Sequence, residues 1–390
     1  MNLFLDVVSD SLLKHDEELC GDKVEIVRSE DSYIVVLADG LGSGVKANIL
    51  ATLTAKIIAT MLSQGATLDD AVSTITATLP VCQERNVAYS TFTLVHVAKD
   101  GHTVLAEFDN PLCVLYRDQK PYPLTRDQVT ISDKVVYLSS FEAQEQDLLV
   151  LFSDGVVHAG VGKLLDLGWM YENVVTFITD YMKRTTNIRK VLRGILESVQ
   201  AFYLNEPGDD STVCVMQFKR NVMATVMVGP PSRKELDHAV VEEFLQTGGY
   251  RVVCGGTTSQ IVAAYLQEEV IVEPDYESPS LPPTAKLKHI DLVTEGVLTL
   301  GKAAAILGEL NQEMPGKLVS IDLPKQDGAH RLVRMWVDDC TEIKFMVGRA
   351  INPAHQNADL PISLNLKLQL VKECAMHLQA MGKKVSIQYY

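Results

Sequence analysis

The sequence predicts an α+β chain: an antiparallel sheet system covered by helices, followed by a separate α/β domain. Three observations lead there. Up to residue 220, short β-type runs alternate with hairpin-length turns and are interrupted by helix pairs. After Arg220 the pattern becomes strand, Pro-Pro break, helix, strand, helix. The length, 390 residues, suits two domains better than one. The boundary is placed near residue 220, giving domains 1–220 and 221–390.

The elements follow in order. Residues 23–28 and 33–38 are β-type runs separated by the polar "SEDS", a hairpin signal. From Val45, apolar residues recur every four positions (Val45, Ile49, Leu53, Ile57, Met61), backed by Leu50, Ile58 and Leu62, which predicts a helix ended by Gly65. Thr67 is the expected N-cap of a second helix, with Asp70 at its third position. "STFTLVHVAK", "HTVLAEFD", "LCVLYRD" and "LLVLFSD" read as strands, 172–182 and 188–204 as helices, and "STVCVMQFKR" as a closing strand. In the second domain, residues 237–246, 251–254 and 257–266 read as helix, strand and helix. The proline-rich 273–284 reads as a linker or exposed loop, and the 349–361 stretch as a polar loop.

Composition narrows the function. Fifty acidic residues against 35 basic ones give a net charge of −15, which works against nucleic acid and anionic lipid. The acid-rich first twenty residues argue against a signal peptide. The uncharged stretch 252–267 is too short for a bilayer span. Seven scattered cysteines without a Cys-x-x-Cys fit a reducing cytoplasm and argue against a disulfide framework or zinc.

The acids themselves carry the strongest signal. Two apolar runs, "YIVVLADGLGSG" and "LLVLFSDGVVHAG", each end in Asp-Gly, at Asp39 and Asp154. If "SEDS" is a tight hairpin centred between Glu30 and Asp31, Asp22 and Asp39 are equidistant from it and share the open end of the ladder. Asp154 leaves a strand, while Asp209 and Asp210 enter one. In an antiparallel sheet, exits lie beside neighbouring entrances, so these positions can share one rim. Crowded carboxylates resist joint ionisation, and a divalent cation removes that repulsion. Oxygen ligands favour Mg²⁺ or Mn²⁺. The glycines after Asp39 and Asp154 let the backbone turn sharply and free a carbonyl for a metal. A lone Asp-Gly is more often simply a turn.

Taken together, "CGDKVEI", "VLADGLGSGVKAN", "LFSDGVVHAG" and "GDDSTVCVMQF" resemble, in order and spacing, the SpoIIE-like branch of the metal-dependent type 2C serine/threonine phosphatases. The resemblance covers roughly residues 1–220 and implies a sandwich of two antiparallel sheets flanked by helices. It implies that Asp22 and Asp39 hold a metal pair, with the Gly40 carbonyl as a further ligand. It implies that Asp154 completes one metal site, that Asp209 takes the place of the last ligand, and that Asp210, where many relatives have Asn or Asp, belongs to the metal-binding set as well. It also implies hydrolysis of phosphoserine or phosphothreonine by metal-activated water. The implied partner is a phosphorylated regulator such as an anti-sigma antagonist-like (STAS) protein. The position of the His that many eukaryotic relatives use as general acid is Leu41 here. His158, four residues after Asp154, is the candidate proton donor, against a structural hydrogen-bonding role. Asn110, in "FDNPLCVLYR", is a candidate for orienting substrate, against an ordinary Asn-Pro turn.

In the second domain, "CGGTTSQ" opens a helix after a strand. It could attract an anion, or be explained by glycines and a threonine cap alone. Cys254 at that helix start is a weaker candidate for a reactive thiol. Two other functions share the sequence with the phosphatase: a non-catalytic binding protein on the same fold, and a metal hydrolase of a small phosphate ester.

Overall fold

Strands that are apolar on both faces need cover on both sides, and that requirement organises the first part of the chain. The computed structural model describes residues 3–29, 31–78, 81–82, 87–88, 90–131, 134–273, 282–311, 327–350 and 362–390. They form two compact units, one running to Arg220 and the other starting at Asn221. Most of the proline-rich 273–284 stretch, and the polar loop beyond residue 350, lie outside the described residues.

In chain order the first unit contains β1 (Leu3–Leu12), β2 (Asp22–Arg28), β3 (Ser32–Gly40), α1 (Gly44–Ser63) and α2 (Leu68–Thr78). Next come β4 (Val81–Cys82), β5 (Val87–Ala88), β6 (Ser90–Ala98), β7 (His102–Phe108), β8 (Val114–Arg117) and β9 (Lys120–Tyr122). It continues with β10 (Asp127–Ile131), β11 (Lys134–Glu142), β12 (Leu148–Phe152), α3 (Asp154–Val157), α4 (Tyr171–Met182), α5 (Ile188–Phe202) and β13 (Ser211–Arg220). One sheet runs β1-β13-β12-β8-β9 and the other β10-β11-β7-β6-β3-β2, all neighbours antiparallel.

Period-two alternation sorts the strand residues. Val35, Leu37, Val95, Leu149, Leu151, Cys214 and Met216 meet between the sheets. On the outer face of one sheet, Ile34, Val36 and Ala38 pack against α1 and α2. On the outer face of the other, Val150, Phe152, Val213 and Val215 pack against α4 and α5. This is the flanked antiparallel sandwich. Thr67 and Asp70 exchange side-chain and backbone hydrogen bonds at the start of α2, as the capping pattern predicts.

The short β9 and the β10–β11 hairpin lie outside the sequence reading, and two further features depart from it. β1 was not expected, because Asp6, Ser9 and Asp10 interrupt its apolar alternation; Asp6 is nevertheless buried and bonded to Lys219 of β13 at 2.8 Å. The second concerns α1. The helix is present, but its every-fourth apolar repeat does not mark the buried face. Val45, Ile49 and Leu53 are exposed at 60%, 51% and 44%. Gly44, Ala47, Ala51, Thr54, Ala55, Ile58 and Ala59 face inward. Small residues win that face because the helix lies close on β3: a Cβ on Gly40 would fall 2.1 Å from the Ala47 carbonyl oxygen. By length and composition α1 could cross a membrane, but this Ala-lined face packs on the sheet.

The second unit contains β14 (Met223–Val228), α6 (Asp237–Gln246), β15 (Tyr250–Cys254), α7 (Gly256–Leu266), β16 (Ile271–Val272), β17 (Ala285–Leu287) and β18 (Ile290–Thr294). It ends with α8 (Val297–Asn311), α9 (Gly328–Arg334), β19 (Glu342–Val347), α10 (Ile362–Ala380) and β20 (Lys384–Tyr389). Its sheet order is β16-β17-β18-β15-β14-β19-β20, with β18, β15, β14, β19 and β20 parallel. Met227, Val253, Val293 and Met346 pack against α6 and α7 on one face. Val226, Val252, Leu292 and Phe345 pack against α8, α9 and α10 on the other. Helices on both faces of a parallel sheet are the doubly wound α/β solution.

The α1 assignment has a direct check. Ala51→Leu is expected to destabilise the protein by about 1–3 kcal/mol through overpacking. Ile49→Ser is expected to stay within about 0.5 kcal/mol of the parent. Chemical denaturation measures both, and the reverse ranking would restore the Val45–Met61 stripe as the core face.

Candidate metal centre

Hairpin geometry places the first pair of acids. β2 and β3 pair with Asp22 opposite Asp39 and Arg28 opposite Tyr33, the register set by a turn centred between residues 30 and 31. In the other sheet, Phe152 at the exit of β12 pairs with Val213 near the entrance of β13, so Asp154 and Asp209 flank one strand end.

The two sheets are tied at this rim by Ser153. Its hydroxyl donates to Asp22 Oδ2 at 2.7 Å and accepts the Thr212 N–H at 2.9 Å. Ser153 and Thr212 are both buried. The sequence reading passed over Ser153, although its place directly before Asp154 in "FSDG" was the available signal.

The electrostatics are those of crowded, buried acids. Burial, then repulsion from Asp22, Asp154 and Asp209, pushes the Asp39 carboxyl well above the usual carboxylate range. Asp22 is raised by burial, opposed by hydrogen bonds from Thr212 and Ser153 and reinforced by Asp210 and Asp154. Asp209 is also raised, by burial and then by Asp154. Asp22, Asp39, Asp154 and Asp209 therefore sense one another at one rim.

Asp210 is occupied differently. Its two oxygens accept the Lys14 N–H at 3.1 Å and the Gly21 N–H at 2.9 Å, and the side chain is buried. It pins the segment entering β2 to the start of β13, and so positions Asp22.

Both Asp-Gly glycines are needed for space. Gly40 abuts Ala47, and a Cβ on Gly155 would fall 2.0 Å from the Asp210 carbonyl oxygen. Neither takes a positive φ, so the sharp-turn explanation is replaced by close backbone approach. Gly155 thereby seats Asp154 against the segment that carries Asp209 and Asp210 into β13.

The other two candidates lie nearby. His158 is exposed, one turn on from Asp154, and its N–H donates to the Asp154 carbonyl at 2.9 Å. Asn110 is buried with both ends of its amide engaged: Thr91 donates to its oxygen at 3.1 Å, and it donates to Thr93 Oγ1 at 3.2 Å. Since Thr91 pairs with Asp39, Asn110 braces the strand beside that acid.

The donor set is hard and all-oxygen, the chemistry that suits Mg²⁺ or Mn²⁺. Asp39 and Asp154 repel each other within the rim, a repulsion that a cation would relieve. Among the described residues, no three His, Cys, Asp or Glu side chains already close around a common point. The rim brings the carboxylates into electrostatic range without wrapping them round an ion, and their chemistry fits a divalent cation.

Residues 29–219 match the family model for Stage II sporulation protein E. This stretch is a SpoIIE domain. It includes Asp39, Gly40, Asn110, Asp154, His158, Asp209 and Asp210, while Asp22 joins it through the β2–β3 register. The SpoIIE PP2C phosphatase domain with a fragment of its regulatory domain, from Bacillus subtilis, is similar at 20% identity and a TM-score of 0.48. That match covers 56% of this chain and 65% of the other, short of two thirds of its length. The Bacillus subtilis SpoIIE phosphatase domain in a crystal form without domain swapping is also 20% identical, over 57% of this chain and 95% of the other, with a TM-score of 0.44. The catalytic domain of the serine/threonine phosphatase PstP, in complex with 2 manganese ions, is 16% identical over 56% of this chain and 100% of the other, with a TM-score of 0.38. A search of curated proteins finds no match.

The raised carboxyls give the SpoIIE domain a pH signature. The folded, metal-free state holds protons that the unfolded chain releases, so these groups stabilise the fold below about pH 4. That contribution is lost as pH rises through about 7, the raised value for Asp22. MnCl₂ should therefore raise the melting temperature more at about pH 8 than at about pH 5, and Asp39→Asn should shrink that difference. Equal manganese shifts at both pH values would contradict the reading.

Proposed function

We propose that the unit ending at Arg220 is a Mn²⁺- or Mg²⁺-dependent protein serine/threonine phosphatase, working with two cations in a cytoplasmic signalling switch. The observation that carries this is the meeting of Asp22, Asp39, Asp154 and Asp209 from three strand ends and a helix start at one rim. There each raises, or is raised by, another. Four acids held at such electrostatic cost have a use for cations. When bound, divalent cations lower the pKa of water and neutralise phosphoryl oxygens. Asp22, Asp39 with the Gly40 carbonyl, Asp154 and Asp209 would hold them. Ser153 fixes the orientation of Asp22, and Asp210 fixes the segment leading to it. His158, exposed beside Asp154, would give a proton to the departing serine or threonine oxygen.

A second observation favours a protein substrate over a small ester. The segment between α3 and α4 leaves Asp154's helix and returns to it, with the Met170 N–H donating to the Val157 carbonyl at 2.8 Å. It exposes Val161, Leu164, Leu167 and Met170, with Leu167 at 74%. Apolar groups displayed beside an acidic rim suit a polypeptide surface better than a lone phosphate ester. The partner implied is a phosphorylated regulator of the STAS type.

With MnCl₂, the purified protein should hydrolyse p-nitrophenyl phosphate. Asp39→Asn or Asp154→Asn should lower kcat by about a hundredfold or more. Inactivity of the parent across several divalent metals would favour a binding protein on the same fold. Leu167→Ser should raise KM for a phosphoprotein several-fold and leave p-nitrophenyl phosphate turnover unchanged. A parallel loss on both substrates would remove the docking role.

A further inference from the structure

The stretch between β1 and β2, residues 13–21, runs along the acidic rim as a strap. Its first part is tied to the segment entering β13: the Lys14 N–H donates to Asp210 Oδ1 at 3.1 Å, and the His15 N–H to the Pro207 carbonyl at 2.8 Å. Its last part is tied to β3 and α1. The Gly21 carbonyl accepts the Gly40 N–H at 3.1 Å, and the Cys20 carbonyl accepts the Asn48 side-chain amide at 2.8 Å. The strap thus joins the segments that carry Asp22, Asp39 and Asp209.

Glu17, in the middle of the strap, reaches the start of α1. The Ser43 hydroxyl donates to Glu17 Oε1 at 2.7 Å. Gly44, the first residue of the helix, has no room for a Cβ against Glu17 Oε2. The carboxylate therefore stands at the amino end of a twenty-residue helix. That end has no anion of its own: the first turn of α1 holds no acidic residue, and Ser43 makes no side-chain capping bond. Glu17 supplies from a distant part of the chain the negative charge that such a helix start favours.

The turn that Glu17 grips has little stiffness of its own. Leu41, Gly42 and Ser43 are all that separate the Asp39-Gly40 pair from α1. Gly42 and Gly44 both take positive φ, at 103° and 66°, and a Cβ on Gly42 would meet nothing within 4 Å. Among the described residues, the bond from Ser43 to Glu17 is the side-chain hydrogen bond that anchors this turn.

Resting on the metal-centre reading above, we infer that Glu17 is a positioning residue for the cation held by Asp39 and the Gly40 carbonyl. It acts through Ser43 and is not a ligand itself. By fixing the Leu41–Gly44 turn it keeps those two donors in place, as groups behind a metal ligand do when they set its orientation. A hydrogen bond to a carboxylate is strong enough for the task.

The test is calorimetric titration of the full-length protein with MnCl₂. Glu17→Ala and Ser43→Ala should each weaken manganese binding by about fivefold or more, and the double variant should be no weaker than the singles, because both remove one bond. Glu17→Gln, whose amide oxygen still accepts from Ser43, should lose no more than about twofold. Glu18→Gln, which removes the same charge from the exposed neighbouring residue, should also stay within about twofold. In EDTA the melting temperatures of these variants should fall by no more than about 4 °C, so that the loss is one of donor placement and not of fold. In the same metal-free state, the amides of residues 40–46 should exchange hydrogen faster in Glu17→Ala than in the parent. If Glu17→Ala fails to fold, Ser43→Ala decides the matter. Unchanged affinity in Ser43→Ala, or equal losses in Glu17→Ala, Glu17→Gln and Glu18→Gln, would overturn the inference and leave the metal centre standing. A parent that binds no manganese would overturn both.

Discussion

Repulsion among carboxylates at one sandwich rim is the constraint around which the first unit is arranged. Water would solvate four separate acids at little cost. Here they are half-buried or buried, and burial is the first cause of every upward shift among them. The surrounding structure holds them against that cost. Ser153 bridges the sheets to Asp22, Asp210 accepts two backbone N–H groups, and Gly40 and Gly155 allow chain segments to close where a methyl group would not fit. The rim is held from both sheets, through backbone as well as side chains.

The supporting groups divide the work by chemistry. Hydroxyls and amides hold Asp22 and Asp210, while Asp39, Asp154 and Asp209 stay within electrostatic range of one another. Asn110 belongs with the supports, since Thr91 and Thr93 take both ends of its amide and Thr91 sits opposite Asp39. His158 lies outside the supports, exposed at the end of the short α3. The same economy governs α1, where alanines and a glycine let a helix lie close on β3 and leave Val45, Ile49 and Leu53 at the surface.

Much of this was legible beforehand because antiparallel pairing is arithmetic. A turn centred between residues 30 and 31 obliges Asp22 to face Asp39, whatever the rest of the chain does. Strand alternation and helix capping are equally local, so Thr67 with Asp70 could be read directly. The less local features escaped. β1 hides behind acids that look solvent-facing until Lys219 is brought beside Asp6. Ser153 is an unremarkable serine until Asp22 arrives from 131 residues away. The apolar repeat of α1 gave the right element and the wrong face, because periodicity reports hydrophobicity while the contact selects for size.

By itself, the sequence determined most strands and helices up to Arg220, though not β1 or the run β9 to β11, together with the pairing of Asp22 with Asp39 and an acidic set at strand ends. Each follows from spacing along a few residues. Only the tertiary structure decided that Asp210 is spent on backbone amides, and that the Asp-Gly glycines serve close packing and not turn geometry. Those outcomes depend on which distant backbone a group meets. No pattern in one segment contains that information, because hydrogen bonding and steric fit act between surfaces that exist only once the chain has folded.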